Sequence, residues 1–277
     1  MAARFARGRL ISLFTSMAGS LRELRYCARI SVLISCLCLV LMAGSLGALR
    51  PSATALALAD ISLLSDSAQD TAISPIANVT GFAFTYISPF STPGIHLYGL
   101  HQGYKLGVFK LGAGTGYLNQ EDYTAHNPYL NVAWLKGGFA LGTSLHLDYD
   151  SVGDDGEYRF DADFALGYSY QDFKTEARYL DITGEEGELG LFLAKEINEA
   201  VSLGGGYVHP RNEKGSLRFA MAYKLHPSLS LYGSWMHYPA SFGGGVNISH
   251  DKLKLIYAIK THTELRPCHG LSLEYGW

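Results

Sequence analysis

The chain has 277 residues, including 31 glycines, 18 tyrosines and 13 phenylalanines, and only 17% of its residues are charged. That charged fraction lies below the roughly 25% of ordinary soluble domains and carries no net basicity, which argues against a disordered chain and against a nucleic-acid partner. Four cysteines are too few for a disulfide scaffold.

The net charge of −3 is unevenly distributed. Residues 1–59 hold seven arginines and one glutamate, which leaves 15 basic and 24 acidic residues in 60–277. We therefore interpret the start of the chain as a basic leader on an acidic mature protein.

The leader has the three parts of a secretory signal peptide. An uncharged apolar run, Ile30 to Leu49, follows the arginines, and small residues then alternate up to Ala59. This order predicts a signal peptide over 1–59, cut after Ala59. Translation from Met17 is an alternative, since the basic stretch is long. An uncleaved anchor is another, because about 20 apolar residues can span a bilayer.

Beyond residue 78, apolar and polar residues alternate with a period of two. In Tyr158 to Tyr170, for example, one face is aromatic and apolar while the other carries Arg159, Asp161 and Asp163. About fourteen such segments, each near ten residues, occupy 79–277, and that length suits a tilted strand crossing a bilayer. The pattern predicts an all-β fold, an antiparallel transmembrane β-barrel of about 14 strands.

Three features favour a membrane barrel over a soluble sandwich. Short connections, such as 102–105, alternate with longer ones, such as 119–128 and 150–157. Aromatic residues recur near strand ends, as interfacial girdles require. The chain also stops inside a strand, and the alternating residues of that strand resemble the signal read by the outer-membrane barrel assembly machinery: Leu271, Leu273, Tyr275 and Trp277.

Several segments resemble one broad group of outer-membrane barrels. Residues 65–77, Ser-Asp-Ser-Ala-Gln-Asp-Thr-Ala-Ile-Ser-Pro-Ile-Ala, look like a divergent copy of the "DDASALYYNPA" segment of FadL-like barrels. Residues 86–90 and 107–118 are similar to PorV/PorQ-type members of the group. The resemblance implies a fourteen-stranded barrel that an N-terminal segment enters, and it leaves two activities open, because the group includes fatty-acid channels and secretion accessories. Residues 60–78 would form the plug or hatch, and deleting 60–76 would then raise the conductance.

Charged residues share the predicted inward face of three neighbouring strands. Folding 139–170 as a hairpin pairs Asp148 with Arg159 and His146 with Asp161, and the next strand adds Lys174, Glu176 and Arg178, with Arg178 diagonal to Asp163. Two interpretations stay open: a constriction that selects solutes by charge, or inward charges that only satisfy one another. The predicted ladder comprises His146, Asp148, Arg159, Asp161, Asp163, Lys174, Glu176 and Arg178.

Nothing in the sequence points to catalysis or to a bound metal. Ser144, His146 and Asp161 share a face, but no nucleophile motif such as G-x-S-x-G accompanies them. The ten histidines are scattered, and the acidic loop 148–157 lacks the spacing of a calcium site. The glycine runs at 204–206 and 243–245 precede no helix, so we interpret them as sites of close packing or kinks.

The sequence therefore predicts a Gram-negative outer-membrane barrel that takes up a small solute passively, a hydrophobic solute being one option. A secretion-accessory or structural barrel without transport is the alternative, and a barrel hydrolase is a distant one. Its expected partners are outer-membrane lipid, the assembly machinery and either a solute or exported proteins. No enzymatic activity, cofactor or nucleic-acid partner is expected.

Overall fold

The computed structural model describes residues 50–77, 79–120, 122–153, 155–183 and 187–277. The predicted leader up to residue 49 lies outside these described residues. Within them, no helix is long and apolar enough to cross a bilayer.

The described chain forms one closed barrel of fourteen antiparallel strands, as the period-two pattern predicts. Each strand pairs with its neighbours in sequence, and the last strand closes against the first. The strands are β1 Gly81–Ser88, β2 His96–Leu106, β3 Phe109–Gln120, β4 Tyr123–Lys136, β5 Phe139–Val152, β6 Asp155–Tyr170, β7 Phe173–Leu180, β8 Glu188–Glu196, β9 Val201–Pro210, β10 Ser216–His226, β11 Leu229–Met236, β12 Ser241–His250, β13 Leu253–Lys260 and β14 Cys268–Tyr275.

Inside the barrel lie one helix, α1 (Ala53–Leu58), and two 3₁₀ turns, Ser62–Leu64 and Ala68–Ala72. A third 3₁₀ turn, Pro89–Ser91, belongs to the connection between β1 and β2. The helix begins at Ser52, whose hydroxyl accepts a hydrogen bond from the Ala55 N–H at 3.1 Å. It ends where Ala59 adopts a left-handed conformation, with φ of 51°.

The outer wall of the barrel is apolar. In β6, Phe160, Phe164 and Leu166 are 59%, 44% and 49% exposed, whereas Asp161 and Asp163 between them are 5% and 1% exposed. An apolar surface that follows every strand around a closed sheet matches lipid, in which each backbone polar group must be paired. The apolar faces of the strands therefore point outward and their polar faces point into the barrel, as predicted.

Two expectations about the connections are wrong. The turn between β2 and β3 lies at Gly107 and Val108, not at 102–105. Gly103 is an inward strand residue, and a Cβ there would lie 2.4 Å from the Val79 carbonyl oxygen, so this glycine marks a close contact. The expected long loops at 119–128 and 150–157 are mostly strand, because paired ladders continue to Gln120–Tyr123 and Val152–Asp155.

Candidate functional site: the filled lumen

The lumen is occupied by the chain's own N-terminal segment, which we call the plug (residues 50–79, with residue 78 outside the described part). The sequence predicted a plug over 60–78, but the lumen segment begins ten residues earlier. Ala53 and Ala57 are fully buried, and Leu58 is 1% exposed. Cleavage after Ala59 stays a prediction; a cut there would remove the whole of α1 from the lumen.

Glycines in the wall create the space in which the plug lies. A Cβ at Gly243 would lie 2.4 Å from the Leu56 carbonyl oxygen, and one at Gly245 would lie 2.9 Å from the Ala57 Cβ. Real Cβ contacts this short would force the plug or the wall to move. The same relation to plug atoms holds for Gly99, Gly103, Gly142, Gly167, Gly204 and Gly270. Within the two glycine runs, Gly204, Gly243 and Gly245 are thus sites of close packing against the plug, whereas Gly206 faces the wall residue Phe192.

An apolar cluster joins the middle of the plug to the wall. Ala53, Ala57, Leu58 and Ile61 of the plug pack against five wall residues from four strands: Phe192, Val208, Ala220, Ile256 and Ala258. These side chains are all nearly inaccessible. Burial of this apolar surface favours the docked plug, at about 25 cal/mol per Å² removed from water.

Arg50 anchors the start of the plug to the predicted charged ladder. Its guanidinium donates to the Asp163 carboxylate at 2.8 Å, and the same carboxylate lies 2.8 Å from the His146 Nε2. The backbone N–H of Asp181 also donates to Asp163, at 3.0 Å. Sequence reasoning missed Arg50 because it was counted with the arginines of the leader.

A second ionic anchor holds the end of α1. The Asp60 carboxylate accepts a hydrogen bond from Arg218 of β10, and the Arg218 guanidinium also lies 3.9 Å from Glu188. Although burial alone would raise the pKa of Asp60, the positive charge of Arg218 holds it below its usual value. Burial likewise opposes the charge of Arg50, but the carboxylate of Asp163 outweighs it and raises the Arg50 pKa.

A third set of contacts holds the plug to the seam between the first and last strands. Gln69 accepts hydrogen bonds from the Ala53 N–H at 2.5 Å and from the Thr85 hydroxyl of β1 at 3.3 Å. Its amide donates to Glu274 of β14 at 2.9 Å, and the Ser67 hydroxyl donates to the same carboxylate. The plug thus bridges the two strands whose pairing closes the barrel.

Asp70 lies beside this seam and is buried at the centre of the plug. Its carboxylate accepts hydrogen bonds from the Thr54 hydroxyl at 2.5 Å and from the Ser67 N–H at 3.3 Å. Burial raises the pKa of Asp70 to about 7, and the negative charge of nearby Glu274 acts in the same direction. The docked plug therefore favours a protonated Asp70.

The structure places six residues of the predicted ladder in the lumen wall and two at its ends. The strand register pairs Asp148 with Arg159 and His146 with Asp161, as predicted. The Arg159 side chain is 54% exposed, however, and contacts Asp150, while Lys174 pairs with Glu196 near the short turns. The buried six are His146, Asp148, Asp161, Asp163, Glu176 and Arg178.

Arg178 lies on the inward face as predicted, and its charged partner is Glu176. Arg178 lies diagonal to Asp163 in the sheet, but its guanidinium sits 3.8 Å from Glu176 and 4.2 Å from the ring centre of Phe192. The guanidinium that pairs with Asp163 is that of Arg50, so the plug supplies this cation.

No catalytic arrangement follows from the shared face of Ser144, His146 and Asp161. Both imidazole nitrogens of His146 are engaged, Nε2 with Asp163 and Nδ1 with Asn127 at 3.2 Å, so neither faces the serine as a base. Among the described residues, no group of three or more His, Cys, Asp or Glu side chains could hold a metal ion.

A cavity of about 440 Å³ remains between the plug and the wall at the end that carries the short turns. Plug residues such as Ser62 and Ile76 line one side, and strands β4 to β7 line the other. Three lysines border it: Lys105, Lys136 and Lys174. The lumen is therefore partly hollow near this mouth and filled beyond it.

The C-terminal strand occupies the position that its pattern predicts. Leu271, Leu273 and Tyr275 of β14 point outward and are more than two-fifths exposed, and β14 pairs with both β1 and β13. Trp277 follows the strand and is 46% exposed. Its role as an assembly signal stays a prediction.

Comparison with known proteins adds little to this geometry. No known protein family matches the chain, and no curated protein is similar to it. Among solved structures it is similar to engineered forms of the porin from Rhodopseudomonas blastica, such as a triple mutant and a second variant with a different set of substitutions. Each is 8% identical with a TM-score of 0.44, over 71% of this chain and 98% of the porin. Such values assign no function, and the resemblance to FadL-like and PorV/PorQ-type barrels stays a prediction.

Proposed function

We propose that the chain is a Gram-negative outer-membrane barrel that serves as a passive channel for a small solute, and that its plug holds the channel closed. The observation that carries this proposal is the construction of the lumen. Small barrels fill their interior with side chains of their own wall. Here the wall instead bears glycines at the positions that face the plug, so a separate segment fills a space that the wall leaves open.

The chemistry of the wall supports a hydrophilic solute over a hydrophobic one. Undocking the plug would withdraw Arg50 and Asp60 from their wall partners and expose a lining of mixed charge. Rings of charged side chains select solutes by charge in other pores. In this proposal the ladder lines an open lumen once the plug has left. Its buried carboxylates and guanidinium then face water, together with Arg218 of β10: Asp148, Asp161, Asp163, Glu176 and Arg178.

The location follows from the direction of the chain. If the plug enters from the periplasm and β1 runs outward, the turns at 107–108, 137–138, 171–172, 227–228 and 251–252 and the C-terminus lie on the periplasmic side, as in outer-membrane barrels. The 440 Å³ cavity then opens toward the periplasm. The alternating C-terminal strand supports insertion by the barrel assembly machinery.

Liposome swelling with sugars of increasing size tests the channel directly. We expect slow swelling with the full chain and rapid, size-limited swelling after residues 50–77 are deleted. A control deletion in an exposed loop, residues 262–265, should leave the rate of the full chain unchanged. Folding of each variant is checked by heat-modified mobility on gels. A folded deletion variant that passes no sugar would contradict the channel.

A structural or secretion-accessory barrel is the second candidate, and the fit of the plug favours it. Three sets of polar contacts and an apolar cluster hold the plug in the lumen. A plug that leaves the lumen readily would need fewer contacts than these. In that case the plug stays docked permanently, the loops at the opposite mouth bind exported proteins, and the full chain does not swell liposomes.

A further inference from the structure

We infer that the exported chain is cut within residues 43–49 and retains everything from Arg50 onward. This inference rests on the proposed export to the outer membrane. It places the cleavage site earlier in the chain than the A-x-A motif that ends at Ala59. A signal peptidase would add water across one peptide bond, leaving a carboxylate on the leader and a new α-amino group on the mature chain.

The wall is shaped for residues that a cut after Ala59 would remove. A Cβ at Gly99 would lie 2.7 Å from the Pro51 Cγ, and one at Gly270 would lie 2.9 Å from the Leu56 Cδ1. Gly243 and Gly245 meet Leu56 and Ala57 in the same way. A chain that began at Asp60 would lack all of these plug atoms, and Gly99, Gly243 and Gly245 would then face only wall atoms, such as those of His101, Ser234 and Tyr257.

Buried polar groups also need the residues before Asp60. Asp163 is 1% exposed and has Arg50 as its guanidinium partner. Asp70 accepts from the Thr54 hydroxyl, and Gln69 accepts from the Ala53 N–H. Leaving a buried charge without its partner is strongly destabilising, so the early cut position is the one that leaves these groups satisfied.

The leader sequence itself allows the earlier site. Ending the apolar run at Met42 gives a run of 13 residues from Ile30, inside the usual 7 to 15, whereas a run to Leu49 exceeds that range. Small residues follow at once in Ala43-Gly-Ser-Leu-Gly47. Ser45 and Gly47 each have a small residue two positions before them, so cleavage after either residue fits the small-x-small rule.

The small residues at 53–59 then have a structural purpose. Ala53 and Ala57 lie one helical turn apart, are 0% exposed, and let α1 approach Gly270 and Gly245 of the wall closely. The same alternation of small residues also satisfies a signal peptidase motif, which is why the sequence alone pointed to Ala59.

Intact mass spectrometry of the protein extracted from outer membranes of a Gram-negative host tests the inference. We expect a mature chain that starts between residues 44 and 50, and an N-terminal peptide, labelled at its α-amino group, that contains Arg50. A mature chain that begins at Asp60, or an uncut chain, would overturn the inference.

Pulse labelling adds a readout that does not depend on folding. The double substitution Ser45→Arg with Gly47→Arg should make the precursor accumulate at least tenfold, while Ala57→Arg, at the matching position of the Ala59 motif, should leave processing unchanged. The opposite pattern would contradict the inference. Failure of the proposed channel is separate, because processing and membrane fractionation are measured without any solute.

Discussion

At the scale of single residues, the inward glycines of β12 decide whether the plug can dock. Gly243→Val should place methyl groups against the carbonyl oxygens of Leu56 and Ala57, which lie 2.4 and 3.1 Å from the position of a Cβ. Overpacking of this kind costs about 1–3 kcal/mol. We expect faster liposome swelling and easier trypsin cleavage after Arg50.

Gly244→Val is the matched control for that substitution. Gly244 points outward, and the nearest atom to a Cβ there is 3.7 Å away, so this variant should behave as the parent chain. Equal effects of the two substitutions would show that a general loss of glycine in β12, and not contact with the plug, is responsible.

Asp70 makes docking of the plug depend on pH. Burial raises its pKa to about 7, while the usual value of a carboxyl in water is 3.8. Because the docked state binds the proton more tightly, its added stability is complete below pH 4 and is lost as the pH rises through 7. Glu274 and Lys110 are the charged wall groups that face this site.

We therefore expect liposomes to swell faster at pH 8 than at pH 5.5. Asp70→Asn, which keeps the shape of the side chain and cannot titrate, should flatten this difference and keep the rate low at both values. A pH dependence that survives in the asparagine variant would assign it to another group.

At the scale of elements, the alternation of residues was sufficient to predict the strands. Fourteen strands, their order and the register of β5 on β6 follow from a period of two and from hairpin geometry. The turn after β2 could not be predicted, because a glycine that admits a neighbouring carbonyl looks in sequence like a glycine that makes a turn. In the structure, Gly107 has a φ of 61° and nothing within 4 Å of a Cβ, whereas Gly103 lies in a strand and faces the Val79 carbonyl oxygen.

The extent of the plug could not be predicted for a similar reason. The small residues at alternate positions from Ala53 to Ala59 fit a signal peptidase site and also fit close packing against a glycine-lined wall. The sequence alone therefore did not distinguish a cleavage site from the first part of the plug. The charged ladder was predicted as a set of wall residues, and most of it lies where expected. Its cation partner Arg50 is distant in sequence, and only the folded chain brings it to Asp163.

Gln69 of the plug forms hydrogen bonds with both strands of the seam, β1 and β14. Gln69→Leu keeps the volume but removes the acceptor of the Ala53 N–H and the Thr85 hydroxyl and the donor to Glu274. Each buried group left unpaired costs about 1–3 kcal/mol. We expect the variant to unfold at lower urea concentration in detergent micelles.

Gln120→Leu makes the same chemical change at an exposed position at the end of β3 and serves as the control. If both leucine variants unfold at the urea midpoint of the parent chain, the plug does not support closure of the barrel.

At the scale of the whole molecule, a lumen filled by a separate segment can conduct only when that segment moves. A disulfide between α1 and β14 should prevent such movement. A Cβ at Gly270 would lie 3.3 Å from the Ala53 Cβ, close to the 3.5–4.5 Å that disulfides span. The variant carries Ala53→Cys and Gly270→Cys, with Cys268→Ser to remove the native thiol in β14.

In planar bilayers, the oxidised variant should show no openings, and a reductant should restore the opening rate of the Cys268→Ser chain. The locked and reduced forms share every side chain, so a difference between them reports only the freedom of the plug to leave the wall. Equal opening rates in the two forms would mean that ions cross without displacing the plug. The proposal that the plug closes the channel would then be wrong.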